Sequence, residues 1–146
     1  MGQGVRRSRA GAREVVPPRH AVLVGRRARI EFTADIRHIA RESQKGTQKV
    51  LQKVNDALVQ LRHFPESGGV DPDALTAPPG SAARKLAVEG FIVRYLYPVQ
   101  GPRTKQAVLI LSIRRAERLP ISDEVFLLRY AEEQARMTNE RGAANP

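Results

Sequence analysis

Seven side chains in the second half of the chain could do chemistry together. The stretch "RKLAVEGFIVRYLY" carries Arg84 and Lys85, then Arg94 with Tyr95 beside it. The stretch "ILSIRRAER" adds Arg114, Arg115 and Arg118. Cations gathered on a sheet can stabilise charge on a scissile phosphate, or dock onto a polyanion. Cleavage would also need an acid and a base near the bond. A tyrosine with a lowered pKa, Tyr95 or Tyr97, is the group that would serve as base. In "FIVRYLY" the two-residue period of a strand puts Phe91, Val93, Tyr95 and Tyr97 on one face. Ile92, Arg94 and Leu96 take the other. An arginine between two aliphatic residues must reach a carboxylate, a phosphate or the sheet margin.

Other chemistries lack their residues. There is no cysteine, so neither a disulfide framework nor a thiolate metal site can form. His20, His38 and His63 are far apart and in no metal-ligand spacing, and they read as surface or helix-flank residues. No Gly-x-Ser-x-Gly motif or phosphate-binding glycine loop occurs. Neither a metal nor a cofactor is expected, and no apolar run approaches a membrane span. The net charge of +10 is unevenly spread. Residues 1–20 carry +4, residues 21–120 carry +8 and residues 121–146 carry −2. A basic body of this kind attracts phosphate backbones or acidic protein segments.

The elements that must position these residues fit one domain. Residues 1–19 have no apolar periodicity and read as a disordered basic arm, dispensable for folding. "AVLVG", Ala21–Gly25, reads as a short buried strand. Ala28, Phe32, Ile36 and Ile39 recur at helical spacing and predict a helix over Arg26–Glu42. Gly46 breaks the run, and Thr47 is expected to cap a second helix with Val50, Leu51, Val54, Leu58 and Leu61 in one stripe. Residues 65–82 read as loop. Strands follow over Arg84–Val88, Phe91–Tyr97 and Ala107–Ile113, with Glu89-Gly90 as a tight turn. The last is apolar on both faces and should be central. After Pro120, Ser122 starts a C-terminal helix whose apolar face is Val125, Leu128, Ala131 and Ala135. The tail beyond Thr138 reads as frayed. The fold class expected is α+β. An antiparallel helical hairpin packs on a small, mainly antiparallel sheet, over one core including Val50, Val54, Leu58, Leu61, Leu86, Val93, Leu109 and Leu111.

This order, with "AVLVG", "HIARES", "QKVLQKVNDALVQLRHF", "RKLAVEGFIVRYLY" and "VLILSIRRAERLP", resembles the RelE/ParE superfamily of type II toxin–antitoxin toxins. The likeness spans roughly residues 21–120, within a toxin domain of 20–120 followed by a helix at 121–138 and a tail at 139–146. The family's hairpin matches Arg84, Lys85, Leu86, Val88, Phe91, Val93 and Tyr95. The resemblance implies a cytoplasmic toxin silenced by an acidic antitoxin segment in a hetero-oligomer, with no membrane association. The ParE-like branch inhibits DNA gyrase by binding, and its target-binding residues here would be Arg84, Lys85, Arg94, Arg114, Arg115 and Arg118. The RelE and HigB-like branches cleave messenger RNA on the ribosome, for which Lys85, Arg94, Arg114, Arg115 and Tyr95 would be the catalytic candidates. Ile92, Ala116 and Ser122 stand where that chemistry is usually placed, which favours binding, while the C-terminal helix is more like the HigB branch. An inactive relative that only binds antitoxin is the third reading.

Overall fold

The computed structural model describes residues 19–71 and 77–144, with side chains to Glu140. It is an α+β fold of five strands and three helices among the described residues. Strand β1 (Val22–Val24) leads into α1 (Arg26–Glu42) and α2 (Gln44–His63). Then come β2 (Gly69–Val70), β3 (Ala82–Val88), β4 (Phe91–Val99), β5 (Ala107–Arg115) and α3 (Asp123–Ala144). The sheet order is β1-β5-β4-β3-β2, with β1 parallel to β5 and the other pairs antiparallel. The expected basic arm lies outside the described residues apart from Arg19.

The first two helices follow their apolar spacing. Ala28 is fully buried, and Phe32 and Ile39 pack beside it, together with Val50, Leu58 and Leu61 from α2. Ala28 near the start of α1 meets Leu61 near the end of α2, so the chain reverses between them. The reversal needs a single residue. Ser43 ends α1, and its Oγ accepts from the Gly46 N–H at 2.9 Å to cap α2. Ser43 therefore does the capping expected of Thr47, and Gly46 sits inside the first turn rather than breaking the run. Leu51, expected in the stripe, is exposed.

The meander forms as its pattern dictates. Glu89 and Gly90 both take positive φ (46° and 79°), as a tight hairpin turn requires. Strand β5 is interior, hydrogen-bonded on both sides, although β4 is the middle strand of the five. Residues 65–82 are not all loop, because Gly69 and Val70 pair with Lys85 and Arg84 as an edge strand. Two polar-flanked residues give no periodic signal.

The expectation of one core is corrected by the second face of the sheet. Phe91, Val93, Tyr95, Val108, Ile110 and Ile113 face the helical hairpin. Leu96, Val99, Leu109 and Leu111 lie on the opposite face, under Phe126 and Met137 of α3. The buried residues of α3 are Phe126, Glu133 and Met137, while Val125 and Leu128 are exposed. The 126-130-133-137 stripe is helical in period but carries a glutamate, which hid it among the more apolar alternatives. The helix also runs to Ala144, past the fraying expected after Thr138.

Glu133 explains its own place. Gly25 offers α1 no side-chain cap, and the first turn of α1 contains no acid. The Arg26 N–H instead donates to Glu133 Oε2 at 2.8 Å, so α3 caps α1 from 107 residues away. Gly25 itself donates its N–H to the Ile110 carbonyl at 2.8 Å. A Cβ at this position would stand 2.9 Å from that same oxygen. Gly25→Ala is therefore expected to cost about 1–3 kcal/mol, as overpacking against backbone does. Urea unfolding is the measurement, and an unchanged midpoint would contradict this reason for the glycine.

Candidate basic cleft on the sheet

Strand β5 does not alternate cleanly, and this decides which residues meet. Arg94 pairs with Ser112 but Tyr95 pairs with Ile110, so the register skips Leu111. The extra residue is a β-bulge, which places Leu111 and Ser112 on the same side of the strand. Strict alternation would have turned Ser112 and Arg114 toward the helical hairpin. The bulge returns both to the face that carries Arg94, and Ile113 joins the hairpin core instead.

A cleft of about 190 Å³ opens there, lined by Lys85, Arg94, Arg114, Arg115 and Arg118 around Ile92, Ser112 and Ala116. Five of the seven expected site residues thus come together. Among the described residues Asp71 is the one carboxylate in the lining. The cations differ in what holds them. Arg94 is buried; its Nε donates to Asp71 Oδ2 at 2.7 Å and its Nη1 to the Ile121 carbonyl at 3.1 Å. Its guanidinium also lies 4.7 Å from the centroid of the Phe126 ring. Lys85 approaches the other oxygen of Asp71 at 3.8 Å. Of the alternatives for a buried arginine, this structure uses the carboxylate.

Helix α1 supplies the next acids. It continues alongside β5 where β1 has ended, and Glu31 and Asp35, one turn apart, point back toward the strand. Glu31 pairs with Arg114 at 3.2 Å and with Arg129 of α3 at 2.8 Å. Asp35 accepts from Arg118 at 2.8 Å. Arg115 pairs only with the exposed Glu117, at 3.0 Å, a contact of little energetic weight. Arg114 Nε lies buried without an acceptor. Lys85, Arg115 and Arg118 are the cations the cleft presents to solvent, whereas Arg94 and Arg114 mainly hold the walls.

Two expected residues lie elsewhere. Arg84 is on the hairpin side of β3, where it donates to the Glu66 and Gly68 carbonyls and pairs with the Glu66 carboxylate. Tyr95 is fully buried on the same side. Its hydroxyl donates to the Pro65 carbonyl at 2.8 Å and accepts from the Gly68 N–H at 3.0 Å. Burial pushes the Tyr95 pKa up, outweighing the Gly68 hydrogen bond and the Arg84 charge that lower it. Tyr97 is also raised, by burial and then by Glu66. Neither Tyr95 nor Tyr97 is a phenol with a lowered pKa, and Tyr95, the expected base, is corrected to a structural strut. Among the described residues the cleft lining contains no tyrosine or histidine.

Asp71, Glu31, Asp35 and Phe126 were not singled out by sequence reasoning. Glu31 and Asp35 did carry a signal, since an i, i+4 acid pair borders the apolar stripe of α1. Asp71 stands in "GGVDPD", where nothing marks it. No protein-family model, no curated protein and no solved structure matches the chain.

The Tyr95 environment fixes a pH dependence. The native state holds the phenolic proton more tightly than the unfolded chain, so this stability is full below pH 10.0, the unshifted value, and falls as pH rises beyond it. Tyr95→Phe should cost about 1–3 kcal/mol at neutral pH, by leaving Pro65 O and Gly68 N unpaired. It should also flatten the alkaline decline. Urea titrations between neutral and strongly alkaline pH test this, and an equal decline in wild type and variant would contradict it.

Proposed function

We propose that this chain is the growth-inhibiting toxin of a type II toxin–antitoxin pair, of the RelE/ParE kind. It acts in the cytoplasm by binding a nucleic-acid-processing target such as DNA gyrase. The succession of strand, two-helix hairpin and three-stranded meander supports the class. One observation carries the choice of binding over cleavage: the two phenols of β4, Tyr95 and Tyr97, lie on the face of the sheet opposite the cleft cations. Among the described residues a message at the cleft would meet no tyrosine or histidine to take the proton of the attacking hydroxyl. Its one lining carboxylate, Asp71, is buried and engaged by Arg94 and Lys85. Cations with a shaped recess are sufficient for docking. The same cations, Lys85, Arg115 and Arg118, suit an acidic antitoxin segment that orders on binding.

Induction without antitoxin, with plasmid supercoiling and global message integrity followed together, is the test. Supercoiling defects with intact messages are expected. Replacing Lys85, Arg115 and Arg118 by Gln should relieve the arrest, and Tyr95→Phe in folded protein should not. Rapid message cleavage would overturn the binding mode in favour of the ribonuclease. Normal growth would indicate a relative that keeps only antitoxin binding.

A further inference from the structure

The cations of the sheet cleft all have acid partners within the fold. On α1 the reverse holds. Arg26, Arg29, Arg37 and Arg41 are exposed, and among the described residues none of their side chains forms an ion pair. At 100° per residue these four fall within an arc of roughly 120°, opposite buried Ala28 and Asp35, over about 22 Å of helix. No acid of α1 lies on that arc: Glu31 and Asp35 are turned inward to Arg114, Arg129 and Arg118, and Glu42 lies off it on the side of His38. Of the acids of α3 nearest to α1, Glu132 is engaged by Arg27 and Glu133 by Arg136 and the Arg26 N–H, while Glu140 shares a recess with Arg29 without forming an ion pair with it. A solvated helix face ordinarily interleaves both signs; this one presents one sign only.

We propose that the outer face of α1 is a docking surface for the backbone of duplex DNA, separate from the sheet cleft. It goes beyond the toxin reading and does not need it. Arg29 and Arg41 mark the two margins of the arc, with Thr33, Ala40 and the exposed Ile30 between them. A helix of that profile can approach the major groove of B-form DNA, which admits a helix, and reach phosphates on both walls. The major groove of an RNA duplex is too narrow for it. Single strands are held chiefly by stacking on aromatic side chains, and the arc has none.

The experiment is fluorescence anisotropy of a labelled, arbitrary-sequence 20-base-pair duplex over a range of salt concentrations, with the full chain. Four phosphate contacts predict a slope of log K against log salt near −3.6, at about −0.9 per contact. The triple variant R29Q/R37Q/R41Q should reduce the slope to about −1 and weaken low-salt binding at least tenfold. The control K53Q/R62Q/R103Q removes the same charge from exposed positions elsewhere and should keep the slope within one unit of wild type. Equal loss in both variants, or no loss in the first, overturns the proposal. Tighter binding of an RNA duplex or a polyglutamate peptide than of DNA also overturns it. Far-ultraviolet circular dichroism confirms that both variants are folded. A first variant that loses DNA binding yet still arrests growth separates this surface from the toxin reading.

Discussion

Arg94 sits in the middle strand of the sheet, between two aliphatic neighbours, and is almost fully buried. A guanidinium in such a place must be paired and hydrogen-bonded, because removing an ion from water costs several kcal/mol even after relaxation. Asp71 supplies the charge, the Ile121 carbonyl supplies an acceptor and the Phe126 ring covers the guanidinium. Those three partners come from the end of the edge strand, the connection after β5 and the C-terminal helix. One buried cation thus ties together segments that have little other reason to meet. It makes α3 part of the fold instead of an appendage, and it closes one wall of the cleft.

A second set of charges works from the other side. Glu31 binds arginines from β5 and α3 together, and Asp35 holds Arg118 just beyond β5. Glu133 returns the favour by capping α1. The two layers that sandwich the sheet are therefore joined across its β1 edge by charge and hydrogen bonds, while each covers its own apolar cluster. This division of labour explains how a chain with few aromatic residues keeps two small cores in register. It also sets function, since arginines consumed in architecture are not available to a ligand. Lys85 and Arg115 remain at the cleft, with Arg118 partly exposed there although bound to Asp35, and the α1 arginines remain outside.

Much of the architecture was legible before any coordinates. The period of α1 and α2, the Glu89-Gly90 turn and the apolar run of β5 are local signals, and they were sufficient for the element order. The cleft was legible in membership, because the arginines at and just after the end of β5 and the lysine on β3 converge. What could not be read was parity and partnership. The bulge at Leu111 reverses the sides of Ser112 and Arg114, and no residue type there announces it. The burial of Tyr95 depends on Pro65 and Gly68, about thirty residues away in a segment read as loop. The buried face of α3 contains a glutamate whose purpose is set 107 residues earlier. Long-range polar contacts of this type leave no periodicity.

A double-mutant cycle on folding stability measures the Arg94–Asp71 contact directly. Arg94→Met and Asp71→Leu, singly and together, are compared by urea unfolding. Asp71→Leu strands the buried Arg94 guanidinium and should cost about 3–5 kcal/mol, whereas Arg94→Met leaves Asp71 beside Lys85 and should cost less. The double variant should recover part of that loss, with a coupling of about 2 kcal/mol or more. Effects that add to within about 0.5 kcal/mol would contradict the claim that this pair organises the sheet, the cleft and the C-terminal helix.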